Sequence, residues 1–188
     1  ERGQWLATWQ RMAGGAVSVG VLVVSDRCSR GEAEDRSGPA LRERLEQHYG
    51  ERLALRTTTV PDEAAAIQEA IRAWTAPADA PADEQDQAVA LLLTTGGTGF
   101  APRDVTPEAT QPLLEKECPG FVVAMVTASL QKTPFAMLSR PAAGIRGGSI
   151  VVNLPGSPKG AVENLEAVLP ALDHAVALVR QTKDKDRH

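Results

Sequence analysis

Four segments of this chain are rich in aliphatic and β-branched residues, and the stretches between them leave room for helices. Val17–Val24, residues 88–94 and Ser149–Leu154 are almost continuously apolar, whereas Leu53–Val60 is more polar. Short apolar runs of this kind are typical of strands covered on both faces, as in a parallel sheet. We therefore predict an α/β domain with three layers, α/β/α, around a mostly parallel sheet.

Start signals for helices lie between these segments. Thr106-Pro107-Glu108 combines a capping hydroxyl, a first-turn proline and an acid. The signals predict helices that begin at Ser37, after Asp62, at Thr106 with an end near Glu117, at Pro119 with an end near Leu130, and at Lys159 with an end near Arg180. We expect Pro170 to bend or divide the last of these helices.

Two segments interrupt the alternation of strands and helices. Residues 75–87 are rich in Ala, Pro and Asp, which predicts an exposed loop. Residues 136–148 hold several glycines around short apolar pieces, which predicts a small β-hairpin or an irregular excursion before the last strand. At the ends, we expect residues 1–15, with Trp5 and Trp9, to be a flexible extension, residues 16–181 to form the domain, and residues 182–188 to be a polar tail.

The composition limits the classes of partner. The chain has 188 residues and a formal net charge of −4 at pH 7, so long-range attraction to nucleic acid or to an anionic membrane is not expected. Its longest apolar stretch, near residues 88–93, is far shorter than the roughly 20 residues of a membrane helix. Cys28 and Cys118 form no zinc-binding pattern. We expect a cytoplasmic protein.

Ligands of open α/β sheets bind at the carboxyl ends of the strands. There, residues 94–104 carry Gly96, Gly97 and Gly99 directly after a buried strand, and the backbone N–H groups of such a loop can wrap a phosphate. The loop is neither a Walker A motif nor a dinucleotide fingerprint, because it lacks Gly-Lys-Ser/Thr and has Pro102 where a third glycine is needed. A purely structural turn is the alternative.

Charged neighbours strengthen the phosphate interpretation. Arg103 offers a guanidinium fork to phosphate oxygens, and Asp104 offers a hard oxygen ligand for Mg²⁺. Asp104 is also suited to capping or turn formation. Asp62 is well placed to cap the helix that follows it, and capping does not exclude metal binding. Both carboxylates therefore have a structural and a chemical interpretation.

Two further groups of residues are each open to two interpretations. Ser139-Arg140 and Arg146 lie in the glycine-bearing excursion, where they suit either an anionic ligand or exposed ion pairs. Asn153, followed by Pro155 and Gly156, either contacts a nucleotide base or sugar or belongs to a plain strand-to-helix turn. Cys28 has no neighbouring histidine, and no Ser/His/Asp arrangement is apparent, so a protein nucleophile is not predicted.

Six motifs occur in one order along residues 17–179. They are Val23-Val24-Ser25-Asp26 and residues 34–38, 60–63, 94–110, 133–146 and 153–159. With these motifs the chain resembles the molybdopterin adenylyltransferases, the family that includes the G domain of gephyrin and the corresponding plant molybdenum-cofactor domain. The resemblance implies a molybdenum cofactor biosynthesis G-domain-like fold.

The resemblance also implies an activity and a set of site residues. Such proteins transfer AMP from Mg-ATP to the terminal phosphate of molybdopterin and release pyrophosphate. By this likeness Asp62 and Asp104 are the catalytic, Mg²⁺-binding acids. The expected molybdopterin-binding residues are Ser129, Ser139, Arg140 and Thr98, and the expected nucleotide- and phosphate-binding residues are Gly96, Gly97, Gly99, Asn153, Pro155 and Gly156.

The implied partners follow from the same resemblance. They are a homotrimer of this chain and a molybdate-inserting E-type domain, either separate or on the same full-length chain. One alternative function is a non-catalytic, trimerising scaffold domain that binds molybdopterin. Another is a bacterial-type member of the fold with nucleotide affinity but a different substrate.

Overall fold

The computed structural model describes residues 16–185 of the chain. Within them a six-stranded sheet has the order β2-β1-β3-β6-β5-β4. Its strands are β1 Val17–Val24, β2 Leu53–Val60, β3 Leu91–Thr95, β4 Lys116–Glu117, β5 Ala143–Arg146 and β6 Ser149–Leu154. β2, β1, β3 and β6 run parallel, whereas β4 and β5 are antiparallel to their neighbours. The predicted mostly parallel α/β sheet is confirmed.

Helices cover both faces of this sheet. They are α1 Asp26–Ser29, α2 Ser37–Tyr49, α3 Ala64–Trp74, α4 Ala82–Gln87, α5 Thr106–Thr110, α6 Pro119–Leu130 and α7 Pro158–Lys185, with short 3-10 helices at Gly50–Arg52, Gln111–Leu113 and Pro134–Leu138. The predicted starts at Ser37, Thr106 and Pro119 agree with the structure.

The central strand β1 shows why three layers form. Its buried side chains alternate between two apolar cores, since successive residues of a strand point to opposite faces. Val21 and Val23 belong to the core beneath α2, α6 and α7, whereas Leu22 and Val24 pack with Ile67 of α3. A strand covered in this way has no polar face, which explains its continuous apolar sequence.

The predicted hairpin forms at the edge of the sheet. β5 and β6 pair in antiparallel register from Ala143 opposite Val152 to Arg146 opposite Ser149. Gly147 makes the turn in the left-handed region, with φ of +52°, where a side chain would be strained. The excursion therefore returns the chain to the sheet before α7.

Three local predictions are wrong. The helix from Thr106 ends at Thr110 rather than near Glu117, because a 3-10 turn and the short strand β4 follow it. Residues 75–87 are not simply an exposed loop, since they contain α4, and Thr75 at their start is 4% exposed. The third strand also begins later than predicted, at Leu91.

The ends of the domain remain predictions. The proposed extension, residues 1–15, lies outside the described residues, and so do residues 186–188 of the proposed tail. α7 contains Pro170 and continues to Lys185, four residues past the predicted domain boundary at 181. In the described part of the chain, no helix combines the length and the apolar character that crossing a bilayer requires.

Candidate active site

The glycine-rich loop leaves β3 in a conformation that requires glycine. Gly96 has φ of +106° and Gly97 has φ of +62°, values that side-chain-bearing residues adopt only with strain. A Cβ atom at Gly96 would also collide with the carbonyl oxygen of Val24. The glycines therefore allow the loop to lie directly against the end of β1.

Thr106 fixes this loop rather than capping a helix. Its hydroxyl donates to the Gly96 carbonyl at 2.8 Å, and its backbone N–H donates to the Gly97 carbonyl at 3.0 Å. Val105 takes the cap position of α5 without a side-chain bond. The predicted capping hydroxyl is thus wrong, because the buried carbonyl of Gly96 needs a donor.

Arg140 holds the far side of the same loop. Its Nε donates to the Gly99 carbonyl at 2.9 Å and its Nη2 to the Asp104 carbonyl at 2.8 Å, while Nη1 pairs with the Glu108 carboxylate. The hydrogen bond from Arg140 lowers the pKa of Glu108. The backbone N–H of Arg140 also donates to the Thr98 carbonyl at 2.9 Å. These bonds give Arg140 a role in shaping the loop.

Asp62 follows β2 and borders the loop at Gly97. α3 begins at Ala64 after a cap at Glu63, so the predicted capping by Asp62 is wrong. Its Oδ2 instead accepts the backbone N–H of Asp26 at 2.7 Å. Its Oδ1 lies 3.2 Å from the position that a Cβ atom at Gly97 would occupy, which places this oxygen against the glycine-rich loop.

Asp104 lies at the exit of the loop. Its Oδ2 accepts the Ala101 N–H at 3.0 Å and lies 2.8 Å from the position of a Cβ atom at Gly99. The side chain therefore closes a turn, as one interpretation of the sequence suggested, and still borders the glycines. Asp62 and Asp104 thus flank the same short loop.

This donor set fits Mg²⁺ bound together with a phosphorylated substrate. Among the described residues, no group of three or more His, Cys, Asp or Glu side chains could hold a metal ion. Mg²⁺ at nucleotide sites characteristically takes one or two carboxylates and completes its shell with phosphates and water. Asp62 and Asp104 offer two carboxylates beside a loop of glycines.

A cavity of about 370 Å³ opens between the ends of β1, β2, β3 and β6. Of the predicted residues, Asp62, Gly96, Gly97 and Gly156 line it. Arg27 and Arg36 also line it, although neither was predicted as a site residue. Arg27 follows β1, so its position at a strand end was the signal that could have found it.

The turn after β6 closes the cavity through backbone carbonyls. The Thr95 hydroxyl donates to the Pro155 carbonyl at 2.7 Å, and the Ser37 hydroxyl donates to the Gly156 carbonyl at 2.8 Å. A Cβ atom at Gly156 would lie 3.1 Å from the Gly96 Cα. Pro155 and Gly156 therefore lie in a turn that packs against the glycine-rich loop, and their binding of a nucleotide stays a prediction.

Asn153 does not reach the cavity. It is fully buried, and its Nδ2 donates to the hydroxyls of Thr94 at 2.9 Å and Thr110 at 3.1 Å. Its Oδ1 accepts the Ala142 N–H at 3.1 Å. The amide is therefore used inside the protein, and contact of Asn153 with a nucleotide stays a prediction.

The two predicted pterin serines lie in different surroundings. Ser139 is half-buried at the end of the 3-10 helix, directly before Arg140. Ser129, near the end of α6, accepts a hydrogen bond from Asn164 of α7 at 2.9 Å, a contact that joins two helices. Ser139 is thereby next in sequence to a residue that binds the loop, whereas Ser129 is tied to the helical layer.

Arg146 lies apart from the loop. Its Nε donates to the Thr75 hydroxyl at 3.1 Å and its Nη1 to the Leu113 carbonyl at 3.2 Å. Neither anionic ligand binding nor an exposed ion pair describes these contacts. Arg146 instead ties the hairpin to the segments that end α3 and follow α5.

Known proteins resemble this chain over most of its length. The family described as "Probable molybdopterin binding domain" matches residues 20–174. A protein named gephyrin from Dictyostelium discoideum is 47% identical over 86% of the chain, which spans only 22% of that relative's length. A protein named molybdopterin adenylyltransferase from Helicobacter pylori strain J99 is 42% identical, with 87% of this chain and 88% of the relative covered.

Solved structures agree with the sequence comparison. The crystal structure of the molybdopterin biosynthesis enzyme MoaB from Thermus thermophilus matches with a TM-score of 0.74 and 48% identity, over 87% of this chain and 96% of that one. Both the fold and the sequence are therefore shared with proteins of molybdenum cofactor biosynthesis. The resemblance drawn from the sequence motifs is confirmed, and the chain belongs to the probable molybdopterin binding domain family.

Proposed function

We propose that this chain is a molybdopterin adenylyltransferase, which transfers AMP from ATP to the terminal phosphate of molybdopterin and releases pyrophosphate. The observation that carries the proposal is the pair Asp62 and Asp104, which border one glycine-rich loop at Gly97 and at Gly99. Relatives with this printed name, from Helicobacter pylori and Escherichia coli K12, are 42% and 39% identical over more than four fifths of the chain.

The reaction needs charge stabilisation more than a protein nucleophile. An oxygen of the pterin phosphate attacks the α-phosphorus of ATP, and the bond from that phosphorus to the departing pyrophosphate breaks. Several negative charges meet at this point, so backbone donors and cations must stabilise the transition state. A bound Mg²⁺ would neutralise phosphate charge. Asp62 and Asp104 would hold it.

The two substrates would meet across the loop. Gly96, Gly97 and Gly99 with the turn at Pro155 and Gly156 would form the nucleotide side. Thr98 with Ser129, Ser139 and Arg140 would form the pterin side. Arg140 would act there largely through the loop carbonyls that it binds, and Asn153 would support the nucleotide side from the interior.

The assembly and location belong to the same proposal. A homotrimer in the cytoplasm, with residues 16–181 as the folded unit, would pass adenylylated molybdopterin to a molybdate-inserting E-type domain. The chain spans only 22% of the gephyrin relative, which leaves room for such a domain on a longer protein. Light scattering of the purified domain tests the trimer, which a monomer mass would contradict.

The decisive experiment is an assay of pyrophosphate release from Mg-ATP with and without molybdopterin. We expect release that depends on the pterin and is lost in Asp104→Asn. Asp83→Asn, on the exposed surface of α4, is the matched control and should behave as the parent. Absence of release in a parent protein that still binds molybdopterin would contradict the transferase and favour the scaffold alternative.

A further inference from the structure

Asp26 is a carboxylate that the proposed chemistry does not yet use. It begins α1 directly after β1, and its side chain is only 18% exposed. Buried or half-buried carboxylates are normally paired with donors or cations. The contacts of Asp26 therefore indicate what it does at this edge of the sheet.

The first contacts of Asp26 are with Asp62. The backbone N–H of Asp26 donates to Asp62 Oδ2 at 2.7 Å, and the backbone N–H of Asp62 donates to Asp26 Oδ1 at 3.1 Å. This reciprocal pair joins the ends of β1 and β2. It leaves Asp62 Oδ1 as the oxygen that faces Gly97.

The second oxygen of Asp26 binds the glycine-rich loop. Asp26 Oδ2 forms an ion pair with Nη2 of Arg103, whose side chain is 61% exposed. Arg103 directly precedes Asp104. A guanidinium carries five N–H donors, so pairing at one nitrogen leaves others able to bind an anion from solvent.

We propose that Asp26 is a positioning residue, whose carboxylate holds the Asp62 main chain and orients the Arg103 guanidinium toward substrate phosphates. This inference rests on the proposed adenylyl transfer. Arg103 would contact the phosphates, and Asp26 would act only through Asp62 and Arg103. Orientation by a neighbouring carboxylate is how many phosphate- and metal-binding groups are held ready.

A purely structural role makes a different prediction. An ion pair with so exposed an arginine contributes little to the free energy of unfolding. If the pair served only stability, its loss would leave ATP binding almost unchanged. Binding of Mg-ATP therefore separates the two roles, and it can be measured without the pterin or any turnover.

The test is calorimetric titration of the full chain with Mg-ATP, accompanied by kcat and KM for ATP. We expect Asp26→Asn, which keeps an oxygen acceptor but loses the charge, to weaken Mg-ATP binding and raise KM by about 10-fold or more. Arg103→Gln should weaken binding at least as much. In the Arg103→Gln background, Asp26→Asn should have no further effect, because the group that it orients is absent.

Arg30→Gln is the matched control. Arg30 Nη1 lies 4.0 Å from Asp26 Oδ1, but its Nε is bound to Glu32, and the substitution removes the same charge as Arg103→Gln. We expect it to bind Mg-ATP as the parent does. Asp26→Ala, which also removes the acceptor for the Asp62 N–H, should bind more weakly than Asp26→Asn.

Each further outcome overturns a defined part. Unchanged Mg-ATP binding by Asp26→Asn in an active protein overturns the inference alone. An Asp26→Asn effect of equal size with and without Arg103 does the same. A parent protein that neither binds Mg-ATP nor releases pyrophosphate overturns the proposed function, and the inference with it.

Discussion

The ends of β2 and β6 place polar side chains at the same edge of one parallel sheet. The two side chains differ in how far the protein uses their polar atoms. Asn153, at the end of β6, is fully buried, and both atoms of its amide are bonded to protein groups. Asp62, just after β2, is half-buried and turns one oxygen to the glycine-rich loop. Asn153 is thus bonded to the protein through both polar atoms of its amide, whereas one carboxylate oxygen of Asp62 faces the glycine-rich loop.

This difference shows that position at a strand end does not by itself decide whether a side chain can bind a ligand. Position at the carboxyl edge brings a side chain near a ligand site, but the hydrogen bonds that the side chain already makes to the protein limit what it can offer a ligand. We therefore expect a substitution of Asp62 after β2 to lower activity, and a substitution of Asn153 in β6 to lower the free energy of unfolding.

Asp62→Asn should give the largest effect. Loss of one carboxylate that would hold Mg²⁺ at the substrate phosphates should lower kcat by about 10²- to 10³-fold, while the melting temperature stays close to that of the parent. Pyrophosphate release at saturating ATP and molybdopterin measures the first quantity, and calorimetry measures the second. Activity within a factor of about two of the parent would remove Asp62 from the chemistry.

Asn153→Ala should act in the opposite way. The change leaves two buried hydroxyls and the Ala142 N–H with a lost partner, and buried unsatisfied groups cost about 1–3 kcal/mol each. We expect the free energy of unfolding to fall by about 2–4 kcal/mol, with activity retained per folded molecule. Urea denaturation and an active-fraction titration measure the two parts.

The chain offers a natural control for Asn153. Asn164 is also buried, but its Nδ2 donates only to Ser129 Oγ and to the Gly160 carbonyl within its own helix. Asn164→Ala should therefore destabilise the protein less than Asn153→Ala. A larger loss at Asn164 would contradict the view that β6 depends on its saturated amide.

Gly96→Ala should damage both regions at once, because the loop touches β1, β6 and the site. The substitution adds left-handed strain of about 1–2 kcal/mol and a collision with the Val24 carbonyl. Gly31→Ala is its matched control, since Gly31 has φ of +71° but no atom within 4 Å of a Cβ. We expect Gly31→Ala to show the strain alone, and Gly96→Ala to lose more stability and also activity. Equal losses in the two variants would contradict the close approach.

The apolar pattern predicted the sheet well because burial on both faces leaves a strong signature. β1 and β2 agree with the predicted segments residue by residue. The alternating contacts of Val21 and Leu22 with different cores show the cause. Such patterns can be identified from the sequence because buried strand positions are occupied by apolar residues.

The site was harder to predict because its roles depend on contacts between distant segments. Thr106 and Asp62 both precede helices and resemble caps in the sequence. In the structure the Thr106 hydroxyl donates to the Gly96 carbonyl, and the Asp62 carboxylate accepts the Asp26 N–H. The contacts of Asn153 could not be predicted, because two of its partners lie 43 and 59 residues away in the sequence and a local pattern does not include them. The order of strands, rather than any motif, brings these groups together.

The smallest predicted effect concerns the outer wall of the site, where Glu108 binds Arg140. The hydrogen bond from Arg140 lowers the pKa of Glu108 in the folded protein below its ordinary value. A lowered pKa means that the folded state favours the ionised carboxylate. Stability from this pair is therefore present above the ordinary pKa of a glutamate, near 4.5, and is lost as the pH falls through the lower folded value.

Glu108→Gln removes this pH dependence. Because the Glu108 side chain is 52% exposed, we expect a difference from the parent of only about 0.2–1 kcal/mol at pH 7, smaller in high salt. Urea denaturation between pH 7 and pH 3 should show the difference shrinking toward zero on the acid side. A difference that stays the same from pH 7 to pH 3 would mean that the Glu108 charge does not contribute and that Arg140 holds the loop without it. Arg140 would then resemble Asn153 in β6, whose polar atoms are all bonded to the protein, more than Asp62 after β2, which turns one oxygen to the loop.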